Sequence, residues 1–161
     1  MKKLILGVAL CVATMGFSQK TMPSMKLKSL QGKTFSLTDG FNEKDRFYIF
    51  SFWATWCVPC IEELESFNEL KEDWASKLNY QIVPVSIDDS RGARRIKPLV
   101  NGKGWEYDPI LLDSNQALKR KLGIANPPYL VIVKNGEVIK TLSGMEPGGA
   151  ERLLQELSEM K

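Results

Sequence analysis

Two cysteines close together in the chain could carry out chemistry as a pair. Cys57 and Cys60 are separated by Val58 and Pro59 and form the Cys-x-x-Cys motif of the chain. A cysteine thiolate is the nucleophile of thiol–disulfide exchange. Two unequal thiols within bonding reach allow one sulfur to attack a substrate disulfide and the other to resolve the mixed disulfide. The motif therefore predicts a redox-active dithiol in which Cys57 attacks and Cys60 resolves.

Two other uses of a cysteine pair fit this chain less well. A structural disulfide that closes so short a loop constrains the unfolded chain little. A closed zinc site needs four thiolate or imidazole ligands, whereas the chain has no histidine and no second cysteine pair. The lack of histidine also removes Ser–His and Cys–His catalysis and most copper chemistry. We expect no metal and no other cofactor.

The elements around the motif predict where the cysteines lie. Residues 47–53 form a continuous apolar and aromatic run with one serine, which is typical of a strand buried on both faces. After the motif, apolar residues recur at three- and four-residue steps and predict a helix to about residue 77. This stripe consists of Ile61, Leu64, Phe67, Leu70, Trp74 and Leu78. Residues 81–87 predict a second buried strand, which completes a β–α–β unit.

This placement puts Cys57 at the N-terminus of a helix. The unpaired N–H groups there and the positive end of the helix dipole favour a thiolate. Cysteines in that position reach pKa values of about 3.5–7.5, compared with about 8.5 for a free thiol. We expect Cys57 to be exposed at the turn and Cys60 to be partly shielded. Pro59 fits the first helical turn because an N–H there has no helical partner.

The rest of the chain predicts further strands and helices. Hairpins are expected at residues 26–30 and 34–37, and at residues 129–134 and 137–142 around Asn135-Gly136. Helices are expected at residues 93–100, 115–122 and 150–160, and a short strand at residues 110–112. Pro84 lacks an N–H for a ladder hydrogen bond, so we expect it near the sheet edge or at a bulge.

Two separate stretches resemble the TlpA/ResA-like family of thioredoxin-fold proteins. Residues 51–60, with the sequence SFWATWCVPC, are similar to the family's active-site segment. Residues 123–130 and the following Lys134-Asn135-Gly136 are similar to its cis-proline loop and hairpin. The resemblance covers residues 26–161. It implies an α/β thioredoxin-like fold: a central mixed β-sheet flanked by helices, with an N-terminal β-hairpin and a central insertion around residues 90–108.

The resemblance also implies roles for individual residues. Pro128 matches the cis-proline, and with Pro127 it belongs to a loop that lies against the cysteines and binds the substrate chain. Independently of the resemblance, Trp56 is expected at the surface next to Cys57, where it helps substrate docking. Ser51 departs from the aspartate that cytosolic thioredoxins usually carry under the cysteines. Glu63 matches an acidic position of ResA-like proteins; it either exchanges a proton with Cys60 at i,i+3 or is a first-turn glutamate that the helix dipole favours.

The function implied by the resemblance is thiol–disulfide exchange with protein thiols and disulfides as substrates. Relatives of this type are mostly reductases, often in cytochrome c maturation, and an upstream membrane or periplasmic dithiol would supply electrons. An oxidase or isomerase needs no change of residues and stays open. A peroxiredoxin-like peroxidase is less well matched, because Ala54 stands where that family places threonine. A non-catalytic metal carrier would need ligands that the chain lacks.

The N-terminus predicts export. Lys2 and Lys3 precede a 14-residue apolar run, which is too short to span a membrane and fits a signal peptide of residues 1–18, cleaved near Ser18. An uncleaved anchor fits less well. Cys11 lies in this run. Residues 19–25 are a short lead-in, and residues 26–161 form the domain. Without residues 1–18, 20 basic residues face 19 acidic ones, so no nucleic-acid partner is expected. We expect a periplasmic protein.

Overall fold

The structure, a computed structural model, describes residues 21–160. The predicted signal peptide, including Cys11, and the start of the lead-in lie outside these residues. The elements are β1 (Lys26–Ser29), β2 (Thr34–Ser36), β3 (Phe47–Trp53), α1 (Val58–Ala75), β4 (Tyr80–Ser86), a 3₁₀ helix (Gly92–Arg95), α2 (Ile96–Lys103), β5 (Leu111–Leu112), α3 (Ala117–Leu122), β6 (Tyr129–Lys134), β7 (Glu137–Ser143) and α4 (Gly149–Glu159). Within residues 21–160, no helix is long and apolar enough to cross a membrane.

The strands form one mixed sheet in the order β2-β1-β5-β4-β3-β6-β7. β3, β4 and β5 are parallel, and the remaining neighbours pair antiparallel. The N-terminal hairpin forms as predicted, and β1 also pairs with β5, which joins the hairpin to the main sheet. The predicted mixed sheet with an N-terminal hairpin is therefore confirmed.

The centre of the sheet is the most deeply buried part of the fold. Every residue of β3 is buried, as its apolar run predicted. The helix α1 contacts β3, β4 and α4, and the stripe residues Leu64, Phe67 and Trp74 are buried on it. A strand and a helix that are both fixed by this packing hold the four connecting residues 54–57 between them, and these end in the attacking cysteine.

The position predicted for Pro84 is wrong. β4 is an interior strand, and it pairs with β3 without a bulge. The N–H of Ile87 donates to the carbonyl of Trp53 in β3 (2.9 Å), and successive N–H groups of a strand alternate between its two neighbours. The nitrogen of Pro84 therefore faces β5. β5 pairs with β4 only at Val85 and Ser86, so the missing N–H interrupts no ladder hydrogen bond.

The helical predictions differ from the structure mainly in the insertion. The single helix predicted at residues 93–100 is a 3₁₀ helix followed by α2, which ends at Gly104 in the left-handed conformation. The second hairpin forms as predicted: Asn135 and Gly136 both have positive φ angles (52° and 81°), as a two-residue turn between twisted strands requires. The last helix buries Leu153, Leu154 and Leu157, also as predicted.

Candidate functional site

Cys57 and Cys60 are joined by a disulfide at the start of α1. Cys57 is the N-cap residue, and its Cα lies 5.3 Å from that of Cys60. The Cys57 N–H donates to the carbonyl of Ala54 (3.0 Å), which closes a tight turn between β3 and α1. Pro59 lies within the first helical turn, as predicted. The structure thus places the first sulfur at the positive end of an 18-residue helix.

Access to the two sulfurs differs less than the sequence predicted. Cys57 is 5% exposed and Cys60 is fully buried. The prediction that Cys57 is exposed is therefore wrong for the oxidised protein, because the sulfur of Cys57 is bonded to that of a fully buried residue. The expected order of access still holds. The neighbours of Cys57 lie at the surface, where Trp56 is 60% and Val58 is 63% exposed.

Glu63, three residues after Cys60 on α1, is a buried carboxyl group. It is 4% exposed, and the Ser51 hydroxyl donates to its Oε1 (2.9 Å). Its Oε2 has no hydrogen-bond partner among the described residues. Burial raises the pKa of Glu63 from 4.5 to about 7, and the Ser51 hydrogen bond offsets part of that rise. The first turn of α1 has no acidic residue, so Glu63 is not the first-turn glutamate of the second interpretation.

A second buried carboxylate holds the loop before Cys57. Asp88, which is 2% exposed, follows the end of β4. It accepts hydrogen bonds from the N–H and the hydroxyl of Thr55, at 2.9 and 2.7 Å, and from the hydroxyl of Ser86 at 2.9 Å. No sequence motif indicated a role for Asp88. The available signal was its position after a strand parallel to β3, since the carboxyl ends of parallel strands meet at one edge of the sheet.

The Pro127–Pro128 peptide bond is cis, as the resemblance implied for Pro128. Tyr129, the next residue, pairs with Phe52, so the two prolines lie opposite the end of β3 that leads to the cysteines. Both prolines are half-buried, and the Pro128 carbonyl accepts a hydrogen bond from the Gly144 N–H (2.9 Å). A second cis bond, Asp108–Pro109, was not predicted.

The insertion packs against the same helix. Trp105 forms an edge-to-face contact with Trp53 (ring centroids 5.5 Å apart), and the Tyr107 hydroxyl donates to the Leu64 carbonyl. Burial raises the pKa of Tyr107, and the nearby Glu63 adds to the rise. The central insertion therefore packs against the helix that carries Glu63.

The main cavity of the described residues lies away from the cysteines. A cavity of about 860 Å³ opens at the opposite end of the sheet, and the starts of β3 and β4 line it together with Tyr107. None of the predicted site residues borders this cavity. Within residues 21–160, no three His, Cys, Asp or Glu side chains come together in an arrangement suited to a metal ion.

Comparisons with known proteins agree with this fold and site. Residues 19–141 match the family model described as the AhpC/TSA family. The chain is 30% identical over 126 residues to the thiol-disulfide oxidoreductase ResA of Bacillus thuringiensis subsp. konkukian. This alignment covers 78% of this chain and 69% of the relative.

Two solved structures share the architecture. An uncharacterized thioredoxin-like protein from Porphyromonas gingivalis is 36% identical with a TM-score of 0.74, over 86% of this chain and 90% of that chain. StoA from Bacillus subtilis is 25% identical with a TM-score of 0.65, over 83% and 98% of the two chains. The predicted thioredoxin-like fold is confirmed.

Proposed function

This chain belongs to the AhpC/TSA family and is a thiol–disulfide oxidoreductase of the ResA and StoA type, and we propose that it is an exported reductase of protein disulfides. The observation that supports this proposal most directly is the Cys57–Cys60 disulfide at the N-terminus of α1. Two sulfurs already placed within bonding distance can pass between dithiol and disulfide without a large rearrangement of the chain.

The first step is attack by Cys57. In the reduced protein, the Cys57 thiolate attacks one sulfur of a substrate disulfide, a mixed disulfide forms, and the other substrate sulfur leaves as a thiolate. The N–H groups of the first turn of α1 have no carbonyl partner within the helix and stabilise the anion before it reacts. Cys57 is the attacking residue because it is the N-cap residue and the more exposed residue of the pair.

The second step is closure of the Cys57–Cys60 bond. The Cys60 thiol must lose its proton before its sulfur displaces the substrate from Cys57, and Cys60 is fully buried. Glu63, one helical turn away, accepts that proton. A pKa of about 7 suits this task better than an ordinary glutamate pKa, because it lies closer to the value of about 8.5 for a thiol. The substrate leaves with both sulfurs reduced, and the two electrons it gained come from the dithiol.

Substrate docking is assigned to the surface around Cys57. Trp56 offers an exposed aromatic face next to the disulfide. The loop that contains Pro127 and Pro128 lies at the same edge of the sheet and offers backbone groups to an extended substrate chain. Contacts of this kind suit a segment of protein chain, so the proposed substrates are protein thiols and disulfides in general.

The cellular setting follows from the N-terminal sequence and the resemblance. The signal-like residues 1–18 support export to the periplasm. There, an upstream membrane or periplasmic dithiol would return electrons to Cys57 and Cys60 after each turnover. Cytochrome c maturation is the process we assign, because TlpA/ResA-like proteins often serve it.

The reduction potential of the cysteine pair tests the direction of the reaction. Protein equilibrated with glutathione buffers and trapped by acid gives the ratio of dithiol to disulfide. A reductase should have a potential near that of thioredoxin, about −270 mV, whereas an oxidase of the DsbA type lies near −120 mV. A value near −120 mV would contradict the proposed direction, and consumption of hydrogen peroxide by the reduced protein at peroxidase rates would contradict the reaction class.

A further inference from the structure

We propose that Asp88 is a positioning residue, which fixes the attacking cysteine by holding Thr55 in the loop between β3 and α1. This inference rests on the proposed function and adds a residue to its machinery. The Thr55–Asp88 contact consists of two hydrogen bonds, from the Thr55 N–H to Oδ2 and from the Thr55 hydroxyl to Oδ1. Asp88 thus grips both the backbone and the side chain of a residue two positions before Cys57.

The acceptor side of the contact is rigid. The Ser86 hydroxyl donates to Asp88 Oδ2 (2.9 Å) and accepts a hydrogen bond from the Asp88 N–H (3.1 Å). These two bonds tie the carboxylate to the end of β4. Because β4 is an interior strand of the sheet, the contact ties the loop before Cys57 to the buried centre of the sheet.

The backbone of Gly92 lies close to the Asp88 carboxylate. A Cβ placed on Gly92 would lie 2.9 Å from Asp88 Oδ1 and 3.1 Å from Asp88 Cβ. A side chain at residue 92 would therefore force Asp88 to shift, and the start of the 3₁₀ helix approaches Asp88 through a glycine. The three hydrogen-bond donors and the close backbone together fix one orientation of the carboxylate.

The contact affects chemistry through the turn that follows it. Residues 54–57 form the whole connection between β3 and α1, and within it the Cys57 N–H is bonded to the Ala54 carbonyl. Fixing Thr55 in the middle of this turn leaves little freedom for the sulfur of Cys57. Displacement of a reacting group by about 1 Å can lower a rate about 100-fold.

Four substitutions test this role. Asp88→Ala removes both bonds, and Thr55→Val removes the bond from the Thr55 hydroxyl. Asp88→Asn and Thr55→Ser keep them, because the asparagine carbonyl can accept from the Thr55 N–H while its amide donates to the Thr55 hydroxyl. We expect the first pair to reduce insulin 10- to 100-fold more slowly than the wild type, in single turnover of the reduced protein, and the second pair to remain within about threefold.

Asp113→Ala is the matched control. Asp113 is also a fully buried carboxylate that accepts backbone N–H bonds, but its donors are Leu118 and Lys119 in α3. It should cost a similar amount of stability and leave the insulin rate of the folded protein unchanged. Equal losses of rate in Asp88→Ala and Asp113→Ala, or a wild-type rate in Asp88→Ala, would overturn the proposal.

Amide hydrogen exchange rates of the oxidised protein measure the strength of the Thr55–Asp88 contact in the absence of substrate. Asp88→Ala should speed exchange at Thr55 and Cys57 at least tenfold and leave Leu118 unchanged, and Asp113→Ala should do the reverse. Unchanged exchange at Thr55 and Cys57 would overturn the positioning role. If the wild type fails to reduce insulin while Asp88→Ala changes the exchange rates as expected, the result contradicts the proposed function and supports the role of Asp88 in fixing the loop.

Discussion

The two cysteines have contrasting surroundings. On the Cys57 side, the side chains next to the disulfide are exposed, and a buried aspartate with three hydrogen-bond donors holds the loop. On the Cys60 side, the sulfur is fully buried, and the nearby Glu63 has one donor and an oxygen without a partner among the described residues. Both sides contain a buried carboxyl group, but only one of them is fully hydrogen-bonded.

This difference indicates two separate tasks. Both oxygens of the Asp88 carboxylate accept hydrogen bonds, so its role is structural. Asp88 fixes the position of Cys57, the sulfur of which must reach a substrate. A carboxyl group kept out of water with few hydrogen bonds has a raised pKa and can gain or lose a proton near neutral pH. Glu63 is of this kind. The Cys57 side therefore supplies geometry, and the Cys60 side supplies proton transfer.

Replacing each cysteine in turn should produce the largest effects and should separate the two sides. Cys57→Ser removes the attacking sulfur, so reduction of insulin should fall at least about 1,000-fold. Cys60→Ser removes only the resolving sulfur, so the first step should proceed and a mixed disulfide should accumulate. Non-reducing electrophoresis and mass spectrometry detect the covalent complex. A mixed disulfide formed through Cys60 in Cys57→Ser, at the rate seen for Cys60→Ser, would exchange the two roles.

Glu63→Gln should slow the second step alone. General base catalysis contributes about 100-fold or more, so the mixed disulfide should decay about 100-fold more slowly near pH 7, while its formation by Cys57 stays unchanged. The difference should shrink above about pH 8.5, where a thiol ionises without help. Rapid-quench measurements give both rates. Glu62→Gln, which alters an exposed neighbour on α1, is the control, and identical decay in the wild type and Glu63→Gln would discard proton transfer.

The pH dependence of stability offers a measurement on Glu63 that involves no reaction. The folded state raises the pKa of Glu63 from 4.5 to about 7, so between these values the folded protein binds a proton that the unfolded chain has lost. The free energy of unfolding should therefore decrease as the pH rises through this range, by up to about 3 kcal/mol. Urea denaturation of the oxidised protein should show this decrease in the wild type and not in Glu63→Gln. Parallel curves would contradict the raised pKa.

Trp56→Ala should have the smallest effect and should be confined to the Cys57 side. Because the side chain is 60% exposed, its loss should change the free energy of unfolding by no more than about 0.5 kcal/mol. The KM for a protein disulfide should rise about three- to tenfold with little change in kcat. Met160→Ala, at an exposed apolar residue after α4, serves as the control. A loss of kcat with an unchanged KM would contradict the docking role and would indicate that Trp56 takes part in the chemical steps.

Local patterns in the sequence predicted the elements that position the site. The helix that begins after Cys57 follows from its apolar stripe, and the hairpin at Asn135-Gly136 follows from residues that accept positive φ angles. The cis bond before Pro128 was implied by the family resemblance. In each case the relevant information lies within a few neighbouring residues, or in a motif that such residues spell out.

Contacts between distant segments could not be predicted in this way. Ser51 meets Glu63 across 12 residues, and Thr55 meets Asp88 across 33, so both contacts depend on how β3, α1 and β4 pack. The interior position of Pro84 depends on how short β5 is. The burial of Cys57 depends on the packing around the Cys57–Cys60 bond, which the sequence motif does not specify.

The acidity of Cys57 tests the account most directly, because the proposed reaction begins from its thiolate. In the reduced Cys60→Ser protein, the rate of iodoacetamide alkylation can be followed against pH on the peptide that contains Cys57. The helix N-terminus should lower the pKa of this thiol below the value of about 8.5 for a free thiol. A pKa at or above about 8.5, or no alkylation at any pH, would show that the helix does not activate this sulfur and would contradict the proposed reaction.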